Sequence, residues 1–178
     1  MGAYEGRLRE LIHLFKFTPI EHLREPLGTF LRMGFPQEAQ FDLLVPMPIH
    51  ASRLRERGFN QAELLALEVS ASTSIPVENV LERSRQTKPQ AELSVRERRI
   101  NVKGAFRVLK PERVANKRIL LVDDVVTSAS SANSCALALK QAGASLVAVL
   151  ALARADRRWG SGPEAAQALM QFDSGAAR

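Results

Sequence analysis

Arg118-Ile119-Leu120-Leu121-Val122-Asp123-Asp124-Val125-Val126-Thr127-Ser128-Ala129-Ser130-Ser131 is the stretch from which the fold can be read. Residues 119–122 form a short, wholly apolar run, the pattern of a central parallel strand buried on both faces. It leads directly into two acids, Asp123 and Asp124. A buried carboxylate without a partner is costly, so both are expected at the carboxyl edge of the sheet, where open α/β folds bind their ligands. Four hydroxyl residues follow within five positions, Thr127, Ser128, Ser130 and Ser131, at the start of a helix. Free backbone N–H groups, hydroxyl donors and the positive end of a helix dipole make an anion site. Carboxylates that accept from sugar hydroxyls, close to a phosphate cradle, suit a ribose 5-phosphate. A purely structural capped helix start is the plain alternative for the same residues.

Downstream, a helix over 131–142 closed by Gly143 and a strand over 146–153 complete a βαβ unit. Upstream, Leu8, Leu11, Ile12 and Phe15 recur at helical spacing before Thr18-Pro19, and a second helical stretch over 27–33 ends at Gly34. Residues 41–45 read as a strand stopped by Pro46-Met47-Pro48. An Arg-rich turn (Arg53, Arg55, Arg57, Gly58) leads to Asn60, a good N-cap for a helix to about Ser70. Short strands are expected over 77–81 and 105–109, with a helix over 94–101 between them. The fold class is therefore α/β, a parallel sheet flanked by helices.

The chain has 178 residues, enough for one domain with a sizeable core. No apolar run approaches the length of a membrane span, and Glu5, Arg7, Arg9 and Glu10 interrupt any signal-peptide pattern. No membrane insertion and a cytoplasmic setting are expected. The single cysteine, Cys135, excludes an intramolecular disulfide and a multi-cysteine metal cage, and its neighbours mark a packed helix position. His13, His22 and His50 have no metal spacing; His50, after the proline turn, is the one histidine that is a candidate. The isolated Trp159 and Tyr4 offer no stacking platform for single strands.

The formal net charge is +6, but residues 83–118 alone hold twelve Lys and Arg against three Glu, a net +9, so the rest of the chain is net acidic. A local basic segment favours a polyanion, either a phosphorylated small molecule or nucleic acid. A solvated basic face is the other reading.

The stretch from Ile119 to Ser131 resembles the PRPP-binding motif of type I phosphoribosyltransferases, where PRPP is phosphoribosyl pyrophosphate. Two further blocks resemble the competence protein F (ComF) branch of that superfamily. One is Val45-Pro46-Met47-Pro48-Ile49-His50 with Arg57-Gly58-Phe59-Asn60-Gln61-Ala62-Glu63-Leu64. The other is Arg83-Ser84-Arg85-Gln86-Thr87-Lys88-Pro89-Gln90, with Leu93-Ser94, Arg98, Asn101 and Gly104-Ala105-Phe106 after it. The resemblance spans about residues 4–154 and implies a phosphoribosyltransferase-like core over 37–156. Before it lies an N-terminal helical hood over 1–36, and after it a tail over 157–178, part of it expected to be disordered.

By the same resemblance, Asp123 and Asp124 hold the ribose hydroxyls, and Asp124 lies near a magnesium ion (Mg2+). Thr127, Ser128, Ala129, Ser130 and Ser131 form the 5′-phosphate loop, and Pro46, Met47 and Pro48 the pyrophosphate loop. Arg57 is a phosphate partner, and Arg85 and Arg98 belong to a mobile segment that closes over PRPP. The implied activity is phosphoribosyl transfer to an acceptor the sequence does not identify. The alternative is a competence-associated accessory role, binding single-stranded DNA and a helicase-like competence protein without phosphoribosyl transfer. Two departures from the family pattern stand out. The cysteines of the zinc ribbon with which ComF proteins usually begin are lacking, and Ala129 occupies the place of the motif's glycine. Where that position needs a positive φ, alanine costs on the order of 1 kcal/mol. The oligomeric state is open.

Overall fold

The computed structural model describes residues 2–17, 21–84, 104–127 and 130–155. Its centre is a four-stranded, all-parallel sheet in the order β1-β6-β5-β2, formed by β1 (Gly2–Ala3), β2 (Leu43–Pro46), β5 (Arg118–Val126) and β6 (Leu146–Arg154). A separate two-stranded antiparallel ribbon pairs β3 (Leu81–Arg83) with β4 (Phe106–Val108). The helices are α1 (Gly6–Phe17), α2 (Arg24–Met33), α3 (Ala51–Arg57), α4 (Gln61–Thr73), α5 (Pro111–Val114) and α6 (Ser130–Gln141).

Successive strand residues point to opposite faces, which explains why the apolar runs are continuous. Leu43, Val45, Ile119, Leu121, Val147 and Val149 face one core, shared with Cys135, Ala136 and Leu139 of α6 and with Leu81 and Phe106 of the ribbon. Leu44, Leu120, Val122, Leu150 and Leu152 face the other, shared with Ile12, Phe15, Leu27, Leu31, Leu65 and Val69 of α1, α2 and α4. Residues 1–36 thus pack their helices directly on one sheet face, and β1 adds an edge strand by pairing Gly2 with Ala153. Close approach of α2 to α4 depends on Gly28: a Cβ there would lie 2.5 Å from the Cβ of Glu68.

Among the described residues the expected strands and helices appear with four changes, and β1 and α5 are added to them. The Arg-rich turn is a helix, α3, because both its ends are capped. His50 Nδ1 accepts the N–H of Ser52 (3.2 Å), and Gly58 at φ +80° closes it with an N–H bond to Leu54 (2.8 Å). His50 is therefore a capping residue. The helix after Asn60 runs on to Thr73, beyond the expected Ser70, and ends at Ser74 in the left-handed conformation. The strand expected over 77–81 lies later, at Leu81–Arg83, while Val77 makes only a bridge to Leu44. The fourth change, the length of β5, creates the site. The helix expected over 94–101 and the tail beyond 156 fall outside the described residues. Among the described residues no helix is long and apolar enough to cross a membrane.

Candidate functional site

The central strand does not stop at its acids. β5 continues to Val126, with Asp123, Val125 and Val126 in register with Ala151, Ala153 and Arg154 of β6. On its other side the last partner is Pro46, opposite Val122. Met47 then donates one more bond to the Val122 carbonyl (2.8 Å) before the chain turns away. So β5 overhangs β2 by the four residues 123–126, and a cavity of about 230 Å³ opens along that edge. The acids lie in the carboxyl-terminal half of β5, on an edge that β2 has already left.

Asp123 is half-buried, and Asp124 is buried at 9% exposure. Asp123 Oδ1 accepts the N–H of Asp124 (2.9 Å), and Asp124 Oδ1 accepts the N–H of Val125 (2.7 Å). Asp124 Oδ2 is paired with Lys16 Nζ at 2.8 Å. Burial, and then the adjacent charge of Asp124, push the Asp123 carboxyl well above the usual carboxylate range, against the opposing pull of the Asp124 N–H and Lys16.

Another part of the lining is basic. Lys16 of α1, Arg53 and Arg57 of α3, and Arg83 of β3 all line the cavity. The Arg57 guanidinium sits 5.2 Å from the centroid of Phe17 and donates to Gln61 Oε1 (3.1 Å). Gln61 is 3% exposed, and its Nε2 donates to the Lys16 carbonyl (3.1 Å), so one amide ties α1, α3 and α4 together. The Arg83 guanidinium lies 5.6 Å from the Phe106 ring. Burial, and then the neighbouring Arg53, hold both Arg57 and Arg83 below the ordinary arginine pKa.

The structure brings most of the expected residues to this cavity. Asp123, Asp124, Thr127, Ser131, Met47, Pro48 and Arg57 line it. Ser130 is buried as the first residue of α6, next to the lining. Pro46 is the last residue of β2, behind the loop that lines the wall. That loop is pinned by Asn60, whose Nδ2 donates to the Met47 carbonyl (3.1 Å) while its Oδ1 caps α4 through the Ala62 N–H (3.1 Å). Ser128, Ala129, Arg85 and Arg98 lie outside the described residues. Cys135 is fully buried against the Met47 sulfur (3.4 Å), and burial pushes its thiol well up, so it is packing rather than chemistry.

Lys16, Arg53, Gln61 and Arg83 were not expected as site residues. Arg53 and Arg83 stood in the Arg-rich turn and at the head of the basic segment, and Gln61 left a trace as a polar residue just after an N-cap, four positions from Arg57 and able to pair with it. Lys16 meets Asp124 across most of the chain, and no local pattern signals that contact. Together the walls offer hydroxyl-accepting carboxylates, donor hydroxyls at a helix start and several cations, a set suited to a ligand with both sugar hydroxyls and phosphates. Among the described residues no three His, Cys, Asp or Glu side chains group to hold a metal.

No family model matches the chain. Competence protein F of Haemophilus influenzae is 35% identical over 163 residues, which cover 87% of this chain and 71% of the relative. DNA utilization protein YhgH of Escherichia coli is 32% identical over 161 residues, covering 86% of this chain and 70% of that one. Among solved structures, the allosteric regulatory enzyme of purine biosynthesis superposes with a TM-score of 0.50 at 22% identity. The match covers 72% of this chain and only 25% of the larger enzyme. That likeness shows the fold, the type I phosphoribosyltransferase arrangement of a parallel sheet flanked by helices.

Proposed function

The chain belongs to the competence protein F (ComF) family, and from that premise we propose that its cavity binds PRPP, or another ribose phosphate, in the manner of a phosphoribosyltransferase. The observation that carries the reading is the overhang of β5, which sets Asp123 and Asp124 in one cavity with Lys16, Arg53, Arg57 and Arg83. Carboxylates alone would repel a phosphate, and cations alone would bind any anion. The two walls together select a ligand with hydroxyls at one place and phosphates at another.

In this reading Asp123 and Asp124 accept from the ribose hydroxyls. Thr127, Ser130 and Ser131, with Ser128 and Ala129 between them, hold the 5′-phosphate at the start of α6. The loop at Met47 and Pro48, with Arg53, Arg57 and Arg83, faces the pyrophosphate. Transfer breaks the bond between the anomeric carbon and the pyrophosphate oxygen as an acceptor bonds to that carbon. Positive charge builds on the ribose beside the two acids while the arginines take up the leaving anion. The described ends of the β3–β4 connection, Arg83 and Phe106, line the cavity, and in this reading Arg85 and Arg98 of that connection would meet the leaving pyrophosphate.

Magnesium chemistry fits this site in one form. The Lys16 ammonium already neutralises Asp124 at 2.8 Å, and among the described residues no three His, Cys, Asp or Glu side chains group to hold a metal. Magnesium holds several waters and bonds readily to phosphates, so the ion would arrive on the ligand's own pyrophosphate and neutralise part of its charge.

A thermal-shift panel tests the reading. PRPP with magnesium and ribose 5-phosphate should raise the melting temperature, because both bind only the folded chain. A folded protein that millimolar PRPP leaves unmoved would overturn it.

The basic segment over 83–118 favours a second reading, in keeping with relatives named for competence and for DNA utilization. The ribose and phosphate at the end of a single strand offer the same groups, so a DNA end would enter the same cavity while the segment holds the following phosphates. A helicase-like competence protein would then be the partner. Such binding must weaken steeply with salt; an affinity for short single strands that salt leaves unchanged counts against it.

A further inference from the structure

Lys16 sits in the last turn of α1, among the cations of the cavity. Its carbonyl accepts from Gln61 Nε2, and Gln61 Oε1 in turn accepts from Arg57, so the end of α1 is fixed from α3 and α4. From that fixed point its ammonium lies 2.8 Å from Asp124 Oδ2, in the cavity wall. Asp124 is buried, and its other oxygen is taken by the Val125 N–H. A buried carboxylate persists only with a partner charge or strong donors, and here the protein provides both.

We propose that Lys16 is the resident counter-ion of Asp124, holding the acid pair ready to accept ribose hydroxyls with no divalent ion bound to the protein. An ammonium has three donors, so Lys16 can keep Asp124 and still offer a bond to a ligand. Its charge keeps a second cation from that oxygen, and a divalent ion reaches the cavity only on a ligand's phosphates. Lys16 is a positioning residue, acting through Asp124. The ligand half of this proposal rests on the ribose-phosphate reading, and the ion-pair half stands without it.

The test titrates the full chain with manganese, a paramagnetic stand-in for magnesium, followed by electron paramagnetic resonance with no other ligand present. Wild type and Lys16→Arg should leave the ion free. Lys16→Met and Lys16→Gln, checked for folding by circular dichroism, should bind it about 10-fold more tightly than wild type, because the vacated carboxylate oxygen becomes available. Adding Asp124→Asn should abolish the gain. A manganese site in wild type that Asp124→Asn removes overturns the proposal, as do folded Lys16→Met and Lys16→Gln proteins that bind no more than wild type. A parallel titration with ribose 5-phosphate should give wild type the same affinity in chelator and in magnesium, and Lys16→Met an affinity about 10-fold lower in chelator. A wild-type affinity that needs magnesium also overturns the proposal. If ribose 5-phosphate binds none of the proteins while the manganese pattern holds, the counter-ion role is supported and the ribose reading is what falls.

Discussion

The two walls of the cavity are made in opposite ways. The acidic wall is one strand: Asp123 and Asp124 are consecutive, and register with β6 and the early end of β2 fix where they stand. The basic wall is an assembly of four side chains from α1, α3 and β3, joined through Gln61 and two aromatic rings. Backbone pairing makes the first wall rigid with few side-chain contacts. The second depends on long side chains held by tertiary bonds, and burial, then crowding by Arg53, lowers the proton affinity of Arg57 and Arg83. A ligand with several negative charges relieves that crowding, whereas the acidic wall gains only hydrogen bonds from it.

The contrast can be broken at graded cost. Removing the charge at the centre of the acidic wall should have the largest effect. Asp124→Asn strands the Lys16 ammonium and loses a charged acceptor, so ribose 5-phosphate affinity should fall about 30- to 100-fold by calorimetry. Arg57→Gln in the basic wall should weaken PRPP about 10-fold and flatten the salt dependence of binding, because three other cations remain. Arg57→Lys should restore only part of this, since an ammonium cannot bridge Phe17 and Gln61 as a planar fork does. Asn60→Ala leaves both walls' charges intact but removes the cap of α4 and the tether to Met47. It should cost about 1 kcal/mol of stability in denaturant unfolding, with no change in salt dependence.

The smallest effect belongs to Asp123 and depends on pH. Its carboxyl is raised in the folded chain by burial and by Asp124, so the folded state holds its proton more tightly than the unfolded one. The stability this contributes is full below the unfolded pKa and is lost as pH rises through the folded pKa. Asp123→Asn removes that loss. The variant should melt higher than wild type at neutral pH, and the gap should shrink as pH falls to about 3. A gap that widens on acidification would show that Asp123 is stabilised as the anion.

The same contrast explains what could be read from sequence. The acidic wall, the hydroxyl helix start and the βαβ unit are contiguous, and their chemistry is spelled in order from Ile119 to Ser131. The sheet also follows, since runs such as 119–122 with no polar alternation demand cover on both faces. The length of β5 does not follow, because two acids inside a strand are tolerable only where β2 has already ended, a fact about another segment. The α3 helix was hidden because its short, arginine-rich sequence has no apolar periodicity, and its caps, His50 and Gly58, define it only in three dimensions. Lys16 was hidden for a simpler reason. A lysine at a helix end is an ordinary surface pattern, and only packing turns it inward.

The central claim, that both walls act on one ribose-phosphate ligand, is tested most directly by calorimetric titration of the full chain with PRPP and magnesium, comparing wild type, Asp124→Asn and Arg57→Gln. The account predicts a saturable heat in wild type that each substitution weakens, the acid more than the arginine. No heat at millimolar PRPP in folded wild-type protein, or an affinity that neither substitution changes, would contradict it.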